Sequence, residues 1–343
     1  MEPSYTIRFP AEWDSQSAVM MTWPHSGTDW KHNLDEVIPC FVSIAKEIIK
    51  REKLIVVCRS IKEVKQALGD VEYSCVIFRE ICSNDTWARD HSPLSIFVND
   101  VPHVLDFTFN GWGLKFPANY DNQITRQLYE SKAFSPDTTY MNMLHTVLEG
   151  GSIEIDGERT IMTTDRCLFS ANRNKYKNRE EFIDYFSKIF GVKRVLWLSH
   201  GYLAGDDTDG HIDTLARFCN PETIAYVQCT DPNDEHFEEL SNMENELRKF
   251  KTLDKKPYRL IPLPMAETVY FEGERLPATY ANFLIINGAV LLPVYNSSLD
   301  EIAEQRLQEA FPDREIIGID CRPLIKQHGS LHCVTMQLPA GFV

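Results

Sequence analysis

A stretch of helical periodicity followed closely by a β-branched run recurs along this chain, and that phrase confines the fold to the α/β class. Asp35–Lys50 places Val37, Ile38, Phe41, Ile44, Ala45 and Ile48 at helical spacing, and Leu54–Cys58 follows as a buried strand. Arg179–Phe190 leads in the same way to Arg194–Leu198, Asp234–Phe250 to Tyr258–Leu263, and Leu299–Phe311 to Glu315–Asp320. Asn122–Phe134 followed by Leu144–Leu148 is a weaker copy. Such a pattern reads either as internal repetition of one supersecondary unit or as plain α/β alternation, and the residues alone leave both open. Further strands are expected at Cys75–Ile81, Leu94–Val98, His103–Phe109, Ile153–Thr164, Thr223–Cys229 and Phe283–Tyr295. No low-complexity or Gly/Ser-rich linker divides the chain, so residues 1–343 are expected to form a single domain.

A hydrophobic fraction of 43% and a charged fraction of 25% are those of a soluble globular protein. Ala18–Trp23, the longest apolar run near the start, is far too short to span a membrane. The first residues lack a basic segment followed by an apolar stretch, so no secretory signal is expected. A net charge of −15 without a basic patch argues against nucleic acid as a partner, and it weakly favours a cationic small molecule. Nine cysteines without C-x-x-C spacing read as reduced, mostly buried thiols of a cytoplasmic protein. No membrane partner is expected, and assembly into a homo-oligomer stays open.

Chemistry-bearing residues are scattered but complementary. Cys333 follows the small-residue turn Gly329-Ser330 and precedes the β-branched Val334-Thr335. A thiol nucleophile needs a proton carrier nearby. His211 and Asp213 would share a face of an extended segment, at a strand entrance behind the loop Asp206-Asp207-Thr208-Asp209-Gly210. That cluster also reads as a plain turn or a metal site, although it misses the calcium-loop spacing and the paired histidines of common zinc motifs. Glu149 precedes Gly150-Gly151, where the backbone can approach closely and a carboxylate can project from a strand end; a simple turn explains this segment too. Asp90 lies in Trp87-Ala88-Arg89-Asp90, where Arg89 has the option of an ordinary ion pair with Asp85 or Asp90. Trp87, and Trp112 within Phe109–Phe116, suit a flat pocket wall, a stack on a cation, or plain packing. One thiol, one imidazole and three carboxylates point to cysteine chemistry on a positively charged substrate. Such carboxylates would raise the thiol pKa above the usual ~8.5, and a bound cation would reverse the effect.

The segments Phe9–Trp13, Thr22–His25, Trp87–Asp90, Asn110–Gly113, Leu148–Ser152, Asp207–Asp213 and His332-Cys333 resemble, in order and from Phe9 to Pro339, the agmatine deiminases. These belong with the bacterial-type peptidyl-arginine deiminases in the guanidino-group-modifying superfamily. The resemblance implies a five-bladed α/β propeller (pentein) of ββαβ-type repeats around a central site. It implies cofactor-free, metal-free hydrolysis of a guanidinium to a ureido group and ammonia, with agmatine giving N-carbamoylputrescine. By motif position, Cys333 would be the nucleophile, His211 the general acid/base, and Asp90 and Asp213 the guanidinium-binding carboxylates. Glu149 would be the accompanying carboxylate. Alternatives are a deiminase of peptidyl or free arginine, an amidinotransferase, a metal-dependent hydrolase built on Asp207, Asp209, His211 and Asp213, and a non-catalytic guanidinium-binding protein. The chain departs from the family pattern twice. Leu114 stands where a further glycine usually follows Asn-Gly-Trp-Gly, and Gln327-His328-Gly329-Ser330 replaces a run of glycines and an asparagine.

Overall fold

Asn178 accepts a hydrogen bond from the Glu181 amide at 3.0 Å, Phe182, Phe186 and Phe190 fall along one buried stripe, and Gly191 closes the last turn with φ +68. Cap, stripe and left-handed glycine together define the helix Arg179–Phe190 with the bounds the sequence predicts. Leu34–Ile49 shares only the stripe: it buries Val37, Phe41, Ile44, Ala45 and Ile48, with no side-chain cap at Asn33 and no left-handed glycine at its end. These helices belong to a computed structural model that describes residues 5–343 and is a mixed α/β structure.

Each predicted helix bridges two parallel strands. Leu34–Ile49 joins Gln16–Thr22 to Lys53–Cys58, and Ile124–Glu130 joins Val101–Thr108 to Thr139–Val147. Arg179–Phe190 joins Thr160–Thr164 to Arg194–Leu198, Phe237–Leu247 joins Thr223–Gln228 to Arg259–Pro264, and Asp300–Ala310 joins Ala289–Val294 to Glu315–Asp320. Every pair carries an antiparallel strand on its other side: Met336–Pro339, Leu94–Val98, Ile153–Ile155, Ala216–Asn220 and Leu284–Ile286 respectively. Val76–Glu80 and Ile7–Arg8 extend two of these sheets, and Tyr270–Phe271 with Glu274–Arg275 forms a separate hairpin. Parallel strands need both faces covered, and accordingly Leu54, Ile55, Val56 and Val57 are all fully buried.

Two expected strands are each two. Ile153–Thr164 is the hairpin of Ile153–Ile155 and Thr160–Thr164, because Asp156 Oδ1 accepts the amides of Glu158 and Thr160 and Gly157 takes φ +71 between them. Phe283–Tyr295 likewise folds back at Gly288, φ +74, into Leu284–Ile286 and Ala289–Val294. The helix expected over Asp234–Phe250 is shorter, Phe237–Leu247, since Asp234 turns back to accept the His236 amide at 2.9 Å.

The last strand, Met336–Pro339, pairs antiparallel with Gln16–Thr22, Leu338 opposite Ala18, and both side chains are fully buried. Leu338→Ala therefore leaves a cavity in this sheet and should lower unfolding free energy by about 2–5 kcal/mol, read from the urea midpoint. An unchanged midpoint would show that this pairing contributes little.

Candidate active site

The segment just before each antiparallel strand delivers a polar side chain to one place. Asp90 precedes Leu94–Val98, Glu149 precedes Ile153–Ile155, Asp213 precedes Ala216–Asn220, Asn282 precedes Leu284–Ile286 and Cys333 precedes Met336–Pro339. Asn282 belongs to no motif visible in the sequence. Its Oδ1 lies 3.3 Å from Cys333 Sγ and also accepts the backbone amides of His332 (2.9 Å) and Cys333 (3.3 Å). The one available signal was positional: Asn282 stands at the same point of its unit as the four others.

His211 and Asp213 do not lie on an extended segment. His211 leads into the 3-10 turn Ile212–Thr214, and the loop before it is wound tight. Asp206 accepts the amides of Thr208 (3.0 Å) and Gly210 (2.7 Å), and Gly210 takes φ +85. His211, Asp90 and Asp213 nevertheless surround one point. A Cβ placed on Gly151 would lie 2.6 Å from His211 Nδ1, 2.9 Å from Asp90 Oδ1 and 3.1 Å from Asp213 Oδ2. Only glycine leaves room for the three groups to converge.

Behind that point the imidazole meets Glu149, whose Oε2 is 3.2 Å from His211 Nε2. Asp90 Oδ1 lies 3.6 Å from the other ring nitrogen; it accepts the Gly151 amide, while Oδ2 accepts the Trp112 indole N–H at 2.9 Å. Asp213 Oδ2 accepts from His332 Nδ1 at 2.8 Å, whereas Oδ1 is buried with no hydrogen-bond donor among the described residues. Cys333, Asp90, Trp87 and Trp112 line a cavity of about 170 Å³ together with Asp29, Asp85, Asp206 and Asp207; His211, Glu149 and Asp213 are buried beside it. Trp87 meets Trp30 at 5.6 Å and Trp112 edge-on at 6.5 Å, so both rings wall the cavity and pack against neighbours.

Several partners carried no sequence signal. Arg173, buried, gives its Nε to both oxygens of Glu149 (3.1 and 2.8 Å) and its Nη1 to Asp209 at 2.6 Å. Lys115 takes the other oxygen of Asp209 at 2.8 Å. The aspartate loop is thus occupied by ion pairs and by its own backbone. Among the described residues, the tight ligand-type groups are Glu149, Cys167, His211 and Glu12, Glu154, His332, and each already has an arginine bonded to its acids. Arg89 pairs with neither Asp85 nor Asp90; it turns to Gln337 Oε1 at 2.7 Å and the His332 carbonyl.

Burial opposes charge on His211, but Asp90, the Cys167 thiol and Glu149 outweigh it and lift its pKa well above the usual value. Burial likewise opposes ionisation of Glu149, and His211 with Arg173 overrides it, leaving the carboxyl low. Asp213 is held low against burial chiefly by the hydrogen bond from His332. Burial raises Asp90, reinforced by Asp213 and Glu149 and opposed by His211. The Cys333 thiol is pushed well up, first by burial and then by Asp213 and Asp90. The site therefore pairs a charged imidazole with a neutral thiol at neutral pH.

Trp112 reaches Asp90 from a left-handed turn. Gly111, Trp112, Gly113 and Leu114 take φ +67, +53, +84 and +70 in succession, and Asn110 Oδ1 accepts the Gly113 amide. A Cβ on Gly111 would lie 2.1 Å from the Phe116 carbonyl oxygen. Both departures from the family pattern fall on such backbone, since His328 has φ +66. Leu114 is 71% exposed, so its side chain gains little to offset the strain. Leu114→Gly should raise unfolding free energy by up to about 1 kcal/mol in urea titration, and a loss of stability would contradict the strain. Gly151→Ala should act the other way, costing about 1–3 kcal/mol as the three groups are forced apart, read from thermal unfolding.

The chain is similar to known proteins over nearly its whole length. The model of the Porphyromonas-type peptidyl-arginine deiminase family matches residues 8–339. The agmatine deiminase of Stutzerimonas stutzeri (strain A1501) is 32% identical, the match covering 97% of this chain and 96% of the relative. A Porphyromonas gingivalis structure provisionally assigned as an arginine deiminase superposes with TM-score 0.95 at 56% identity, covering 98% of this chain and all of its own. The agmatine deiminase of C. jejuni with substrate bound, a cysteine-to-serine variant, gives TM-score 0.92 at 36% identity, covering 100% and 99%. With nearly its whole length matched, this chain belongs to the Porphyromonas-type peptidyl-arginine deiminase family.

Proposed function

We propose that this protein hydrolyses the guanidinium of agmatine to N-carbamoylputrescine and ammonia through a covalent cysteine intermediate. The observation that carries the reading is Asp213 Oδ1, a buried carboxylate oxygen without a donor, in a cluster with Asp90 beside a thiol-lined cavity. A buried acceptor of this kind calls for a cationic N–H ligand, and a guanidinium offers donors in a planar fork. At about 4 Å and an effective dielectric near 20, each charge contact is worth on the order of 4 kcal/mol.

The chemistry then assigns roles. Cys333 Sγ forms a bond to the guanidinium carbon, and His211, already protonated, gives a proton to the departing nitrogen as the C–N bond breaks and ammonia leaves. The neutral imidazole next takes a proton from water, whose oxygen bonds to the carbon of the amidino-thioether. The C–S bond then breaks as the remaining hydroxyl proton passes to the departing sulfur, restoring the thiol and freeing the neutral ureido product, while the thiol proton displaced when the cation bound ends on ammonia as ammonium. Glu149, held ionised by Arg173, stabilises and orients the imidazolium. Trp112 fixes Asp90, and Trp87 with Trp112 forms the walls along the substrate. Since burial, Asp213 and Asp90 all suppress the thiolate, arrival of the cation is what creates the nucleophile.

Specificity follows from the lining. Asp29, Asp85, Asp206 and Asp207 join Asp90 there, and among the described residues no Lys or Arg side chain does. That suits an ammonium tail and disfavours the α-carboxylate of free arginine. The family description and the Porphyromonas gingivalis relative keep a citrulline-forming reaction on arginine as the second reading. Five sheets that each present one residue to the site support the reading of the fold as a five-bladed α/β propeller, with the site on its axis. Nine unpaired cysteines suit a reducing cytoplasm.

Ammonia release from agmatine, free arginine and a blocked internal-arginine peptide should favour agmatine by at least about tenfold in kcat/KM, a difference of about 1.4 kcal/mol in transition-state binding. Equal rates would remove the specificity assignment and leave the reaction. Alkylation of Cys333 by iodoacetamide in the free enzyme should be slow at neutral pH and keep rising beyond the ordinary thiol pKa of about 8.5. An apparent pKa near 6 would rule out substrate-generated thiolate.

A further inference from the structure

Glu12 and His332 both stand in segments on which the family resemblance rests, yet neither takes part in the reaction as derived above. The structure brings them together in the interior. His332, next to the nucleophile and 1% exposed, lies between two carboxylates. Its Nδ1 is 2.8 Å from Asp213 Oδ2 and its Nε2 is 2.8 Å from Glu12 Oε2. An ionised carboxylate only accepts, so Nδ1 is the donor to Asp213.

Around this imidazole sits a buried ion cluster. Arg217, fully buried, gives Nη2 to Glu12 at 2.7 Å and Nε to Glu154, and the same Nη2 is 2.9 Å from His332 Nε2. Its Nη1 donates to the carbonyls of Ala281 (3.2 Å) and Phe283 (2.6 Å), the residues on either side of Asn282. Glu12 Oε1 accepts the Ile285 amide at 2.7 Å. The cluster thus grips the Asn282 segment through backbone and reaches Asp213 through His332.

We propose that His332 is a positioning residue: anchored by Glu12 and Arg217, it holds Asp213 through Oδ2 so that Oδ1 stays free for the guanidinium. This rests on the reading of Asp213 as a guanidinium-binding carboxylate. Without the Nδ1 donor, no side chain among the described residues bonds the Asp213 carboxylate to fix its rotamer, and both oxygens become free to turn away. Because an asparagine amide nitrogen can take the place of Nδ1 and a glutamine amide nitrogen that of Nε2, the two imidazole contacts can be separated.

The test uses His332→Asn and His332→Gln in the full chain, each also combined with Cys333→Ser for calorimetric agmatine binding, with thermal melts throughout. His332→Asn should keep agmatine affinity and kcat/KM within about threefold, while His332→Gln should lose about 30-fold in affinity with a melting temperature close to that of His332→Asn. His332→Gln on top of Asp213→Asn should cost no more than about a further threefold, since both act through one carboxylate. Equal losses in the Asn and Gln variants, or additive losses in the cycle, would overturn the proposal and leave His332 a structural member of the cluster. Should His332→Gln fail to fold, a folded His332→Asn that falls as far as Asp213→Asn would overturn it as well. If the wild-type chain releases no ammonia from agmatine and its Cys333→Ser form binds none, the reaction itself is misassigned, an outcome the other arms do not produce.

Discussion

Gathering Asp90, Glu149, Asp213 and His211 out of water around a single glycine is the constraint on which the remainder of this structure depends. Each buried charge costs several kcal/mol unless a partner of opposite sign or a fixed donor meets it. Arg173 and His211 meet Glu149, the Gly151 amide and the Trp112 indole meet Asp90, and His332 meets half of Asp213. The other half of Asp213 is left unmet. Under the proposed function, that open acceptor preorganises the site for a cation, and the missing stabilisation becomes binding selectivity.

The same arrangement would keep the sulfur un-ionised until a cation arrives in the proposed reaction. A thiol beside Asp90 and Asp213 in a dry pocket has little tendency to ionise, whereas His211 retains its proton for the same electrostatic reason. Both protonation states suit the first step of the proposed reaction, which needs a cation to draw out the thiolate and an acid to release ammonia. Backbone strain belongs to this design. The left-handed run Gly111–Leu114 aims the Trp112 indole at Asp90, and Gly150 and Gly151 bring the chain within contact of Arg89, Asp90 and His211.

Much of this was legible in the residues. Arg179–Phe190, Arg194–Leu198 and Glu315–Asp320 have the predicted bounds because caps, periodicity and β-branched composition agree locally. The hairpins within Ile153–Thr164 and Phe283–Tyr295 were not resolved as pairs, since one glycine in an apolar run serves a bulge as well as a turn. The five residues assigned by motif position, and the two aromatics Trp87 and Trp112 offered as pocket walls, lie in one neighbourhood. Asn282, Arg173, Arg217 and the partnering of His332 carry no local signal because nothing adjacent to them in the chain announces them; their partners lie 24 to 320 positions away.

What the sequence by itself determined is therefore the alternation of elements and the kinds of group available: one thiol at Cys333, one imidazole at His211, and carboxylates at Asp90, Glu149 and Asp213. Tertiary structure alone decided which oxygen of Asp213 is free, which nitrogen of His211 faces which acid, and that Arg89 belongs to Gln337 while Arg173 belongs to Glu149. The reason is physical. Periodicity and caps act over a few residues, but charge pairing in a dry interior depends on distances between segments that only the packed sheets bring together.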